Sequence, residues 1–171
     1  MDFFAAVKQR YSHRTAYTST PVSKEDLTKI LDAGLRAPSG CNAQTTSFIV
    51  VTNADLRKQM AEFLPAEAIR TAPVLIIGVT EKVTFDFGLD FEVEDYSAAV
   101  ENILLAATAL GYASCWYDGG TRLEGRDVAL AKLLGVPEGK QVRTILPIGV
   151  PEVVGTQAKR KAFGERVVWK E

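Results

Sequence analysis

Three short polar groups in this chain carry residue types suited to binding chemistry: Arg10-Tyr11-Ser12-His13-Arg14, Pro38-Ser39-Gly40-Cys41-Asn42-Ala43-Gln44, and Lys159-Arg160-Lys161. In the first, alternate residues offer two guanidinium forks and a hydroxyl at the end of a helical pattern, which is good phosphate chemistry. Taken alone, such a charge cluster is more often a solvated basic turn. The second group sets a hydroxyl and two uncharged amides between a helical pattern and an apolar run. The third lies near the end of the chain, where a basic stretch is usually only a tail. Here Val167-Val168-Trp169 follow it, so the last segment is expected to dock and hold its cations in place.

Other chemistries find little support. A serine triad would have to use His13, and no serine lies in a Gly-x-Ser-x-Gly elbow; a single histidine between arginines reads as a surface residue. There is no Gly-x-Gly-x-x-Gly and no Gly-Lys-Ser/Thr, which argues against the dinucleotide fingerprint and the phosphate loop. Cys41, Cys115 and His13 are too few and too scattered for a zinc-ligand pattern or a disulfide framework. A formal charge of −1 and a pI near 5.9 give no general basic field for nucleic acid or anionic membranes, so any anion site must be local. No apolar run reaches membrane-spanning length and no signal pattern opens the chain, which predicts a cytoplasmic protein.

The positioning elements follow from periodicity. The 171 residues, 47% of them hydrophobic, suffice for one substantial core and predict a single domain. Asp2 caps a first helix running to about Gln9. Ser23 and Asp26 open a second helix, whose Leu27, Ile30, Leu31, Gly34 and Leu35 share one face and which Pro38 stops. Ser47 to Thr52 reads as a buried strand, Leu56, Met60 and Phe63 mark a helix, and Pro73 to Val79 a second strand. Tyr96 to Leu110, apolar nearly all round, predicts a central buried helix ended by Gly111. Strands at Ala113 to Tyr117 and Arg143 to Val150 flank a helix at about Gly125 to Leu134. Helices and strands intermix, which implies a layered α+β domain. Glu81 to Asp95 alternates aromatics with acids; it reads equally as a solvated loop or hairpin and as a mobile cover over a site.

Taken in order, these segments resemble the FMN-dependent nitroreductase family. The likeness runs through Arg-x-Ser-x-Arg, the "PVSKEDLTKIL" helix, Pro-Ser-Gly-x-Asn-x-Gln, "ENILLAA", "ALGYASCWYDGG", "LLGVPEG", "PIGVPE" and "RVVW", nearly the whole chain. It implies a central mixed sheet flanked by helices in an intertwined homodimer, with FMN at the subunit interface. Arg10, Ser12 and Arg14 match flavin contacts from one subunit, with Arg14 reaching the ribityl or pyrimidine side. Pro38, Ser39, Asn42 and Gln44 match contacts from the other, and Arg160 or Lys161 closes on the phosphate. Amides suit an isoalloxazine edge because that edge mixes donors and acceptors. Asp118 and Gly119 match the segment whose backbone faces flavin N5. The chain departs from many members at Thr45-Thr46, where they carry Pro-Trp, and it lacks their long inserted helices; Phe85, Phe87 and Phe91 are the best substitute for those.

What the resemblance implies about activity is flavin chemistry. NADH or NADPH gives hydride to N5 and leaves, and a nitroaromatic, quinone or similar small acceptor takes its place, so kinetics are ping-pong. Arg14 stabilises the charge of reduced flavin near N1 and O2. A non-catalytic flavin store or sensor is the alternative reading, and a structural dimer without cofactor a third.

Overall fold

A computed structural model describes residues 1–171. Its sheet is built from β1 (Thr46–Val51), β2 (Val74–Glu81), β3 (Ala113–Ser114) and β4 (Lys140–Gly149), in the order β1-β2-β4-β3. All three ladders are antiparallel; Phe48 faces Gly78, and Ile77 faces Ile145. The mixed character expected of the sheet is confined to one parallel bridge, Ser12 with Ser114.

The centre of the sheet explains the uninterrupted apolar run of β2. Side chains of a strand alternate between faces, and here both faces are covered. Leu75, Ile77 and Val79 join Ile145, Met60, Leu64, Ile69 and Leu130 in one core, beneath α3 (Ala54–Phe63), α4 (Glu67–Thr71) and α6 (Arg126–Leu134). Val74 and Ile76 join Leu146, Ile148, Ile30, Val100, Ile103 and Leu104 in another, beneath α2 (Lys24–Leu35) and α5 (Glu92–Ala109). Each fully buried aliphatic side chain contributes about 1.5–3 kcal/mol, so α5 is anchored firmly along its length. Gly34 lets α2 approach it, because a Cβ there would lie 2.7 Å from Ile103.

Capping follows the sequence signals. Asp2 accepts from Ala5 N–H at the start of α1 (Phe3–Gln9), and Ser23 accepts from Asp26 N–H at the start of α2. Gly135, with φ of 64°, closes α6. Three differences from expectation have local causes. Helix α5 begins at Glu92, four residues before Tyr96, because Glu92, Glu94 and Asp95 suit the positive end of a helix. The strand expected at 113–117 pairs regularly only over Ala113–Ser114 and touches β4 again through a bridge at Tyr117. Helix α4, five residues long with no capping side chain, left no periodic signal. No helix is long and apolar enough to cross a membrane.

Candidate functional site

The Arg10–Arg14 segment is extended and fixed to the sheet edge. His13 N–H donates to Ser114 carbonyl at 2.9 Å, beside the Ser12–Ser114 bridge. His13 is not the surface residue its arginine neighbours suggest. Its side chain is 2% exposed, Nε2 lies 3.0 Å from Ala16 carbonyl, and its ring packs on Tyr17 at 4.5 Å. Within this segment, His13 is turned inward and Arg14 is left exposed. Arg14 Nη1 donates to Ser12 carbonyl at 3.3 Å. Arg10 is partly engaged: its Nε pairs with Glu101 Oε1 at 3.1 Å, tying the end of α1 to α5. Beneath Ser12 lies the buried Cys115, whose thiol is pushed up by burial against the opposing influence of Arg14 and Ser12. Residues 11–16 line an open cleft of about 550 Å3 with Glu152, Val153, Gly155 and Thr156.

Past the end of α2, the second group forms a strained turn. Cys41, Asn42 and Gln44 have φ of 50°, 55° and 51°, a region that costs non-glycine residues on the order of 1–3 kcal/mol each. The turn is clipped at both ends. Ser39 Oγ accepts from Gln44 N–H at 3.0 Å, Gly40 N–H donates to Asp95 Oδ1 at 2.7 Å, and Thr45 Oγ1 donates to Asp95 Oδ2 at 2.7 Å. Thr45 carbonyl accepts from Glu81 N–H and Thr80 Oγ1, anchoring the turn to the end of β2. Asn42 and Gln44 are left exposed, as is Pro38. Ser39 is half-buried, with its oxygen committed to the brace. The adjoining cleft is about 220 Å3, smaller than the ~300–1,000 Å3 typical of ligand pockets. It shares no lining residue with the Arg14 cleft.

At Asp118 and Gly119 the backbone faces outward while the carboxylate is held back. Tyr96 Oη donates to Asp118 Oδ2 at 2.9 Å, and Arg122 Nε lies 2.6 Å from Oδ1. Arg143 stands over the Tyr96 ring at 5.3 Å. Burial, then the Asp118 charge, push the Tyr96 hydroxyl above its ordinary range, so it remains a donor at neutral pH. Gly119 is exposed with open space where a Cβ would stand, and its N–H makes no hydrogen bond within the chain.

The basic third group does not dock on its own chain. Gln157 Nε2 donates to the carbonyls of Val7 and Arg10, but from Ala158 onward every residue is exposed, Lys159, Arg160, Lys161 and Trp169 included. Phe3 and Phe4 of α1 are exposed as well. The aromatic segment is more ordered than a solvated loop. Phe85 and Phe87 stack at 5.4 Å, Phe91 lies 5.9 Å from Phe85, and Lys82 pairs with Asp90 at 2.8 Å. Phe91 also packs against Gly40, where a Cβ would lie 2.3 Å from its ring. Asp95 and Thr45 are the members that motif reasoning missed. Asp95 stands among five other acids between residues 81 and 95, and nothing in the sequence singles it out.

Strained amide-bearing turn, exposed arginine and open glycine backbone are carried together on one α+β fold. The chain belongs to the nitroreductase family, whose profile its sequence matches over residues 7–65 and 61–150. It is 38% identical over 149 residues to an Archaeoglobus fulgidus protein named for NADH dehydrogenase/NAD(P)H nitroreductase activity, covering 85% of each chain. Identity to the NADPH-flavin oxidoreductase of Vibrio harveyi is 28% over 155 residues, 82% of this chain and 63% of that one. The solved structure of an FMN-dependent nitroreductase from Clostridium difficile R20291 matches with a TM-score of 0.83 at 28% identity, over 98% of this chain and 99% of that chain.

Proposed function

We propose that the protein is an FMN-dependent NAD(P)H oxidoreductase acting on nitroaromatic, quinone or similar small acceptors. The observation that carries this reading is the strained turn at 41–44, a conformational cost concentrated where two uncharged amides are presented to solvent. Such amides fit a flat heterocycle edged by both donors and acceptors. Bound FMN supplies the redox chemistry, taking two electrons from NADH or NADPH and passing them to an acceptor that uses the same place, with ping-pong kinetics.

The chain's own residues bind and tune. Asn42 and Gln44 hold the heterocycle edge, and Pro38 and Ser39 shape the wall beside it. Arg10, Ser12 and Arg14 hold the polar side chain and the pyrimidine end, where the exposed Arg14 guanidinium supplies the cation that accumulating negative charge requires. The Gly119 N–H is free to orient the ring, and the Asp118 carboxylate, tied to Tyr96 and Arg122, is kept from opposing that charge. Arg160 or Lys161 closes on the phosphate.

A homodimer completes the site. Within one chain the two groups of contacts line separate clefts and the tail is unpacked, so a partner's Arg10–Arg14 segment joining this chain's turn makes one pocket of two half-sites. Exposed Phe3, Phe4, Val168 and Trp169 provide apolar surface for that contact. Titrating FMN into apoprotein while following its mass by sedimentation tests the reading. One FMN per chain on a dimer, with retention falling as dilution dissociates it, is the expected result; a monomer that binds FMN fully overturns the shared site.

A further inference from the structure

We propose that Asp95 is the positioning residue of the cofactor turn, a buried carboxylate that holds the turn of residues 39–45, with its left-handed Cys41, Asn42 and Gln44, in place before any cofactor arrives and thereby sets FMN affinity. The inference rests on the FMN reading for its link to affinity, and on geometry alone for the clamp.

Asp95 is 3% exposed and sits in the first turn of α5. Both of its oxygens are spent on the turn: Oδ1 accepts from Gly40 N–H and Oδ2 from Thr45 Oγ1, each at 2.7 Å. These contacts grip the strained residues from either side, since Cys41, Asn42 and Gln44 all fall between Gly40 and Thr45. The base of the clamp is rigid, because Val100, Ile103 and Leu104 fix α5 in the core. Phe91, the residue before α5, packs on Gly40 in addition. Without the carboxylate, Gly40 N–H and the buried Thr45 hydroxyl lose their acceptor, and the three left-handed residues are free to relax toward ordinary backbone geometry. An ordered turn presents Asn42 and Gln44 ready-made; a relaxed one must be reordered at each binding event, which weakens affinity. The hydroxyl of Thr45 is what makes the second contact possible.

The test compares Asp95→Ala, Asp95→Asn, Thr45→Val and a control in the opposite core, Leu64→Ala. Amide hydrogen exchange over residues 39–45 is measured in apoprotein, and FMN dissociation constants by fluorescence titration. Asn retains an acceptor for Gly40 N–H and can donate to the Thr45 hydroxyl, so Asp95→Asn is expected within about threefold of wild type. Asp95→Ala is expected to speed exchange across the turn and raise the dissociation constant at least about tenfold, with Thr45→Val moving both in the same direction. The control is expected to lower melting temperature without moving either. Unchanged exchange in both Asp95→Ala and Thr45→Val overturns the clamp, as does a control that weakens FMN as much as Asp95→Ala does. If wild type binds no FMN, the functional reading fails, and turn exchange in the variants alone decides the clamp: faster upholds it, unchanged overturns it.

Discussion

Arg14 is the residue proposed to carry the electrostatics of the site. It is the exposed cation of the N-terminal segment, held only through Ser12 carbonyl, whereas Arg10 already pairs with Glu101. Replacing Arg14 with Ala removes a charge-assisted contact of about 1.5–3 kcal/mol, roughly one to two powers of ten in the FMN dissociation constant. Fluorescence titration checks this, and thermal melting should move little because the side chain is exposed. The residue types in this segment were legible in the sequence, but their division of labour was not. His13 turns into the core and Arg14 out, and that division was hidden because the segment is too short and too polar to show a period. The turn at 41–44 was legible as a polar loop from its amides. Its strain was not, since the left-handed residues are Cys41, Asn42 and Gln44 rather than the neighbouring Gly40.

Among the elements, the buried strands and helices were readable because burial leaves strong composition. The run Val74–Val79 is apolar since both sheet faces are covered, and α2 declares itself by its Ser23 cap and one apolar face. Elements set by context were harder to read. The acidic residues 92–95 look like loop composition, yet they form the first turn of α5, where the helix terminus favours them. The segment before α5 therefore shortens to Lys82–Phe91, with Phe85, Phe87 and Phe91 clustered beside the turn. Phe87, 60% exposed, is the member proposed to meet an aromatic acceptor. Phe87→Ala is expected to raise KM for a nitroaromatic by about two- to tenfold, the scale of one aromatic contact, while FMN affinity and melting temperature stay near wild type. Steady-state kinetics with a nitroaromatic and a small quinone check it. Unmoved KM values accompanied by a loss of several degrees in melting temperature would instead make Phe87 part of the fold's packing.

At the scale of the whole molecule, the contacts proposed for the cofactor are spread over separate parts of a single chain, including two clefts, the Gly119 backbone and an exposed basic tail. The proposed dimer would unite them, so assembly and cofactor binding are expected to rise and fall together. The central claim, that the assembled protein passes electrons from a nicotinamide donor through bound flavin, is tested most directly by anaerobic stopped-flow mixing of the FMN-loaded dimer with NADH and, separately, with NADPH. The account predicts rapid bleaching of the flavin band with at least one donor, and its return when a quinone or nitroaromatic is added. A flavin band that neither donor bleaches would contradict it, and would make the protein a flavin store or sensor rather than an oxidoreductase.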